Sequence, residues 1–271
     1  MIREKPIGIF DSGVGGLTVL KEIAKLLPNE ELIYLGDTAR VPYGIRSAET
    51  VIKYSIECAS FLFKKGIKIL VVACNTSSSV SLEVLKERLP IAVIGVIEPG
   101  VRAALKATKN GKIGIIGTEA TIHSEAYPKK IKSIEPEIEV ISKACPLFVP
   151  LVEEGILEGS IAELVVERYL KELKNSGIDT LILGCTHYPL LKKTIQKYME
   201  GIQLVDSAEE ISREVKEMLS YQELINEKTN SGGKTFYVTD SPDRFKKIGE
   251  IFLDCKIDNI FKVSLEEEKI K

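Results

Sequence analysis

The sequence has no long apolar run, no excess of one charge, few histidines and no paired cysteines, and each absence removes a class of function. No apolar stretch approaches the ~18 residues that a membrane-spanning helix needs, so no membrane partner is expected. The residues before Ile7 lead straight into a strand pattern without the apolar core of a signal peptide. The 37 basic side chains nearly balance 39 acidic ones. No basic stripe with interleaved aromatics occurs, so nucleic acid is not an expected partner. Five cysteines, an odd number without C-x-x-C spacing, read as reduced thiols in a cytoplasm. A zinc site is a weak reading, because two thiols and one histidine give three ligands at most and Cys-x-His is not a common zinc spacing. The glycine loop at 11–16 is followed by no Lys-Ser/Thr, which rules out a P-loop, and no lysine site for pyridoxal phosphate stands out. Neither metal nor cofactor is therefore expected. Linkers rich in Gly or Ser are missing as well, although 271 residues suffice for one large or two modest domains.

What is present is an alternation of apolar strands and amphipathic helices, with 44% apolar residues to build cores. The pattern predicts strands at 7–10, 32–35, 69–73 and 91–96, with helices over 17–27, from Ser47 to Lys65, and over 77–88. The second half repeats the first. Ile113-Gly-Ile-Ile116 echoes Ile7-Gly-Ile-Phe10, strand 138–142 echoes the second strand, 180–184 echoes 69–73, and 203–205 echoes 91–96. Between them Ser160-Ile-Ala-Glu163 reads as a capping box opening a helix. A helix over 207–219, a strand over 235–239, a helix from Ser241-Pro242 and a strand near 259–263 complete the chain. The fold class is thus α/β, with two pseudo-symmetric, doubly wound, mostly parallel sheets. The crossovers are expected at Glu98-Pro-Gly100 and Asp206-Ser207. They divide the chain into a first domain of 1–97 plus 207–271 and a second of 98–206.

Two runs end alike: Ile69-Leu-Val-Val-Ala-Cys74-Asn-Thr76 and Thr180-Leu-Ile-Leu-Gly-Cys185-Thr-His187. Each closes a strand with a thiol just before a helix, where backbone N–H groups favour the thiolate, and where an open α/β sheet holds its ligands. Cys74 and Cys185 are therefore candidates for one shared site. Cys58, Cys145 and Cys255 read as packing or surface residues. His187 can assist Cys185 or bind substrate, whereas His123 reads as a surface residue. Asp11-Ser-Gly-Val-Gly-Gly16 offers backbone donors suited to a carboxylate. Asp37 and the pair Glu153-Glu154 would by themselves pass as solvated charge.

These residues resemble the aspartate/glutamate racemase superfamily, and within it the glutamate racemases. The resemblance covers nearly the whole chain. It is carried by Phe10-Asp-Ser-Gly-Val-Gly-Gly16, Gly36-Asp-Thr-Ala-Arg-Val-Pro-Tyr-Gly44, Val72-Ala-Cys-Asn-Thr76, Pro146-Leu-Phe-Val-Pro-Leu-Val-Glu153 and Leu183-Gly-Cys-Thr-His187. It implies two domains facing across a cleft, one catalytic cysteine from each, and cofactor-independent interconversion of L- and D-glutamate for peptidoglycan synthesis in the cytoplasm. A homodimer is expected. By motif, Asp11, Ser12, Pro42, Tyr43, Gly44, Asn75, Thr76, Thr186 and His187 would hold substrate. Asp11 would assist Cys74, and His187 with Glu153 would assist Cys185.

The chemistry needs that arrangement. Racemisation without a cofactor removes a weakly acidic α-proton from one face and returns another to the opposite face, so it wants two monoprotic groups, one thiolate and one thiol. Asp11, if ionised, opposes a thiolate at Cys74 and fits better as a proton relay. Three rival readings stand beside this one: an aspartate racemase of the same superfamily, a Cys-His hydrolase with Cys185 as nucleophile, and a binding protein that closes on a dicarboxylate.

Overall fold

The computed structural model describes residues 2–228 and 232–265. Among them, ten strands form two wholly parallel sheets. The first sheet contains β1 (Ile7–Asp11), β2 (Leu32–Gly36), β3 (Ile69–Val72), β4 (Ala92–Gly95), β9 (Lys234–Val238) and β10 (Ile260–Lys262) in the order β10-β9-β2-β1-β3-β4. The second contains β5 (Lys112–Gly117), β6 (Glu139–Ala144), β7 (Thr180–Gly184) and β8 (Gln203–Asp206) in the order β6-β5-β7-β8. The order 2-1-3-4 of the first sheet is therefore repeated as 6-5-7-8 in the second.

Every residue of β1, β3 and β7 is buried, as continuous apolar runs require when helices cover both faces of a parallel sheet. β9 pairs with the free side of β2, Leu32 opposite Lys234, so the tail of the chain returns to the first sheet.

The crossovers are helices rather than linkers. Glu98-Pro-Gly100, expected as a crossover, lies in the first turn of helix Ile97–Ala107, where proline costs no hydrogen bond. Helix Ser207–Tyr221 leads back, opened by Asp206, whose carboxylate accepts from the Ala208 N–H at 2.9 Å. Its buried face, Ile211, Val215 and Leu219, packs toward helices Leu17–Leu26 and Ile97–Ala107. Burial of each such side chain stabilises by about 1.5–3 kcal/mol. Among the described residues no helix is long and apolar enough to cross a membrane.

Two local expectations are corrected. Ser160 is the first residue of helix Ser160–Lys174 and not its cap; Gly159 takes that position with φ +90°, which an L side chain rarely adopts. The helix predicted from 77 begins at Asn75, directly after Cys74. Short helices at Glu119–His123, Ala126–Ile134 and Phe148–Glu153 had no clear periodic signal.

Candidate active site

The two equivalent third strands, β3 and β7, bring their cysteines to one place. Cys74 follows β3 as the N-cap of helix Asn75–Arg88, and Cys185 follows β7 directly. The loop after β1 fits between them. A Cβ on Gly15 would lie 2.2 Å from Thr186 Oγ1 and 2.5 Å from His187 Nδ1, so only glycine lets the loop from one sheet meet the strand end of the other.

The result is a cleft of about 450 Å³. Of the residues singled out by motif, Ser12, Pro42, Tyr43, Gly44, Cys74, Asn75, Thr76, Glu153, Cys185, Thr186 and His187 line it. Asp11 lies fully buried beside them. His123, at the end of helix Glu119–His123, is exposed, as are Cys255 and its neighbours, whereas Cys58 and Cys145 are buried.

On one wall Cys185 Sγ is 3.9 Å from His187 Nδ1, and His187 Nε2 is 3.3 Å from Glu153 Oε1. Burial alone would pull the imidazole's pKa down. The hydrogen bonds to Cys185 and Glu153, with the charges of Cys185 and Asp11, outweigh it and push His187 up to about 10. Glu153 in turn is held below the usual carboxylate range, chiefly by its bond to His187. A sulfur, an imidazolium and a carboxylate thus stand in line.

The other wall is different. The Cys74 thiol donates to Ser12 Oγ at 3.8 Å. Burial, followed by the nearby charge of Asp11, pushes this thiol up to about 11. Loss of solvent and a like charge thus oppose the thiolate that a helix N-terminus favours. Asp11 is itself raised, because burial outweighs the opposing effects of His187 and of its hydrogen bonds. Its Oδ2 accepts from the Gly13 N–H at 2.9 Å and its Oδ1 from Thr186 Oγ1 at 3.3 Å.

Donors for an acidic ligand lie between the walls. Asn75 accepts the Tyr127 hydroxyl at 2.7 Å through Oδ1, while its buried Nδ2 has no partner among the described residues. Thr76 Oγ1 meets Thr118 Oγ1 at 3.0 Å and Thr121 Oγ1 at 3.3 Å, joining helix Asn75–Arg88 to the loop after β5. A Cβ on Gly44 would meet Thr118 at 2.6 Å, so this loop too reaches the second sheet.

Asp37, read from sequence as solvated charge, is fully buried. It accepts from Arg40 Nε at 2.6 Å, from Thr239 Oγ1 at 2.9 Å, and from the Tyr43 hydroxyl. Arg40 also pairs with buried Glu57 and stacks over Tyr54, 4.0 Å from the ring centroid. This network, behind the wall formed by Tyr43 and Gly44, had no sequence signal beyond the motif itself. Arg244, Thr118, Glu119 and the apolar Val41, Ile45 and Val149 also line the cleft unforeseen. Among the described residues no group of three or more His, Cys, Asp or Glu side chains could hold a metal ion.

Residues 7–215 match the family described as Asp/Glu/Hydantoin racemase. The chain is 56% identical over 266 residues to the glutamate racemase of Geobacter metallireducens, covering 98% of each chain. The crystal structure of glutamate racemase from Francisella tularensis in complex with D-glutamate superposes with a TM-score of 0.93 at 40% identity, covering 98% of this chain and 100% of that one. Glutamate racemase from Thermus thermophilus, in complex with beta-chloro-D-alanine, gives 0.90 at 45% identity, covering 98% and 99%.

Proposed function

The chain belongs to the Asp/Glu/hydantoin racemase family, and on that premise we propose how its two thiols act. The reaction is the interconversion of L- and D-glutamate, an isomerisation. Cys185 takes the α-proton of L-glutamate as a thiolate, for which an imidazolium neighbour is a favourable setting. Cys74, held as a thiol, donates its proton to the opposite face of the α-carbon. One C–H bond breaks, another forms, and the two sulfurs exchange protonation states. The same steps run in reverse from D-glutamate.

His187 and Glu153 support the Cys185 face, and Asp11 relays protons for Cys74. Ser12, Pro42, Tyr43, Gly44, Asn75, Thr76 and Thr186, with His187 and Asp11, hold the substrate. The free Asn75 Nδ2 and the backbone donors of these loops suit its carboxylates and the enolate charge that develops. Residues 1–97 with 207–271 form the unit carrying Cys74, and 98–206 the unit carrying Cys185. No step needs a cofactor, because the thiols supply both base and acid.

The observation that carries this reading is the pair of thiols on equivalent strand ends, each with its own acid–base partner, around one cleft. The test is racemisation in deuterated water. A thiol carries one proton, so the donor delivers solvent hydrogen and not the proton just removed. Early product should carry deuterium at the α-carbon while unreacted substrate stays protiated. Equal early labelling of both would replace this reading with a one-base mechanism.

The product serves peptidoglycan synthesis in the cytoplasm, and the working form is a homodimer. Sedimentation tests the latter; a sole species at 30.0 kDa would overturn it.

A further inference from the structure

Helix Pro242–Leu253, which joins β9 to β10 of the first sheet, touches the Cys185 wall of the cleft twice. Arg244, in its first turn, places Nη2 3.8 Å from Glu153 Oε2, while Oε1 of the same carboxylate faces His187. Two turns on, Phe252 sets its ring at 86° to the His187 ring with centroids 5.8 Å apart. Eight residues at ~3.6 per turn make about 2.2 turns, so the two positions lie within a quarter turn of each other and can reach the same wall. Glu153 and His187 themselves follow β6 and β7 of the second sheet. The contacts therefore span the cleft.

Charge singles out Arg244. Among the described residues lining the cleft it is the one lysine or arginine, whereas Glu119, Glu153 and Glu154 all share the lining. The neighbouring carboxylates oppose the charge of Glu153, which His187 and, more weakly, Arg244 favour. Glu153 is 22% exposed in its side chain and keeps one oxygen on the imidazole while the guanidinium takes the other.

We propose that Arg244 is a positioning residue for the Cys185 face: it fixes Glu153 against His187 and, with Phe252, ties the tail helix of the first sheet to the acid–base chain of the second. The inference rests on Cys185 acting as the base toward L-glutamate. Loss of Arg244 slows proton transfer at Cys185, in either direction, and leaves transfer at Cys74 unchanged.

The experiment compares Arg244→Ala, Arg244→Lys and the unaltered protein on L- and D-glutamate, each also deuterated at the α-carbon. Arg244 is 64% exposed in its side chain, so the variants keep the fold. An exposed ion pair of this kind supports a fall in kcat/KM of about two- to fivefold for Arg244→Ala. The isotope effect measured from L-glutamate should rise, because transfer to Cys185 becomes more limiting. That measured from D-glutamate should fall, because its isotopic step at Cys74 no longer limits. Arg244→Lys should restore most of both. Isotope effects that stay put, or shift alike from both enantiomers, would overturn the proposal. Failure of the underlying reading shows separately, as racemisation that survives Cys185→Ala.

Discussion

Thr186 Oγ1 donates to Asp11 Oδ1 at 3.3 Å, although 175 positions separate the two residues. One follows Cys185 and the other ends β1 beside the Cys74 wall, so this bond links the two sides of the cleft. The charge of His187 is also felt at Asp11.

The cysteines give the sharpest test. Cys74→Ala and Cys185→Ala should each abolish racemisation, measured by polarimetry, since each face has one group to serve it. Cys58→Ala, Cys145→Ala and Cys255→Ala should keep appreciable activity. Near-normal turnover by Cys74→Ala would sink the two-thiol mechanism.

Substrate length should matter more than charge. Shortening glutamate by one methylene leaves both carboxylates but shifts the α-carbon between the thiols, and such misplacement costs about 100-fold or more. Comparable kcat/KM for aspartate and glutamate would contradict this.

Asp11 should trade stability for activity. Its pKa is raised by burial, so its contribution to stability is present below the ordinary carboxylate value and lost as pH rises through the folded one. At neutral pH, above the ordinary carboxylate value, the shift is a net cost. Asp11→Asn, which can still accept from Gly13 and donate to Thr186, should raise the urea midpoint at pH 7 while lowering racemisation by at least about tenfold. A lower midpoint would show that the carboxylate stabilises the fold.

Alkaline unfolding isolates Cys74. Its thiol is raised to about 11, so the stability it contributes is intact below the ordinary thiol value and lost as pH rises from about 9 to about 11. One proton released over that window is worth on the order of 2–3 kcal/mol. Urea unfolding under reducing conditions should show a shallower decline for Cys74→Ala than for the unaltered protein. Parallel declines would refute the raised thiol.

Lys68 is a stability test far from the chemistry. Its buried ammonium contacts Glu30 Oε2 at 2.5 Å and the carbonyls of Arg3 and Leu224 at 2.7 Å each. Lys68→Met leaves the Glu30 carboxylate buried without its cation, costing about 3–5 kcal/mol. Adding Glu30→Gln should recover more than half of that loss. A loss under about 1 kcal/mol for the single change would mean that water reaches Glu30.

Much of the frame was legible because it depends on local pattern. Buried parallel strands are continuous apolar runs, and the two that end in Cys74 and Cys185 stand out for the polar residues that follow them. The charged network was not legible. Arg40 meets Glu57 from 17 positions away, and Asp37 meets Thr239 from 202 away, so each reads singly as solvated charge until the chain is folded. Arg244 was not legible for the same reason, since its partner Glu153 ends a helix that follows β6 of the other sheet. The desolvation of Cys74 was not legible either, because a helix terminus is visible in sequence and burial is not. Ser160 was misplaced by one residue because Gly159 supplied the backbone conformation that a capping side chain would otherwise have marked.

A chain of L-residues can repeat a unit but cannot reflect it. The orders β2-β1-β3-β4 and β6-β5-β7-β8 are one handedness used twice, so the wall met by one enantiomer is never the mirror of the wall met by the other. The difference is chemical as well as geometric: serine and aspartate attend Cys74, histidine and glutamate attend Cys185. Mirror-image substrates have equal energy in water, which forces kcat/KM to be the same in both directions at every pH. Only its division into kcat and KM is free. Two unlike half-sites thus serve a perfectly balanced equilibrium, and their inequality cancels around the cycle.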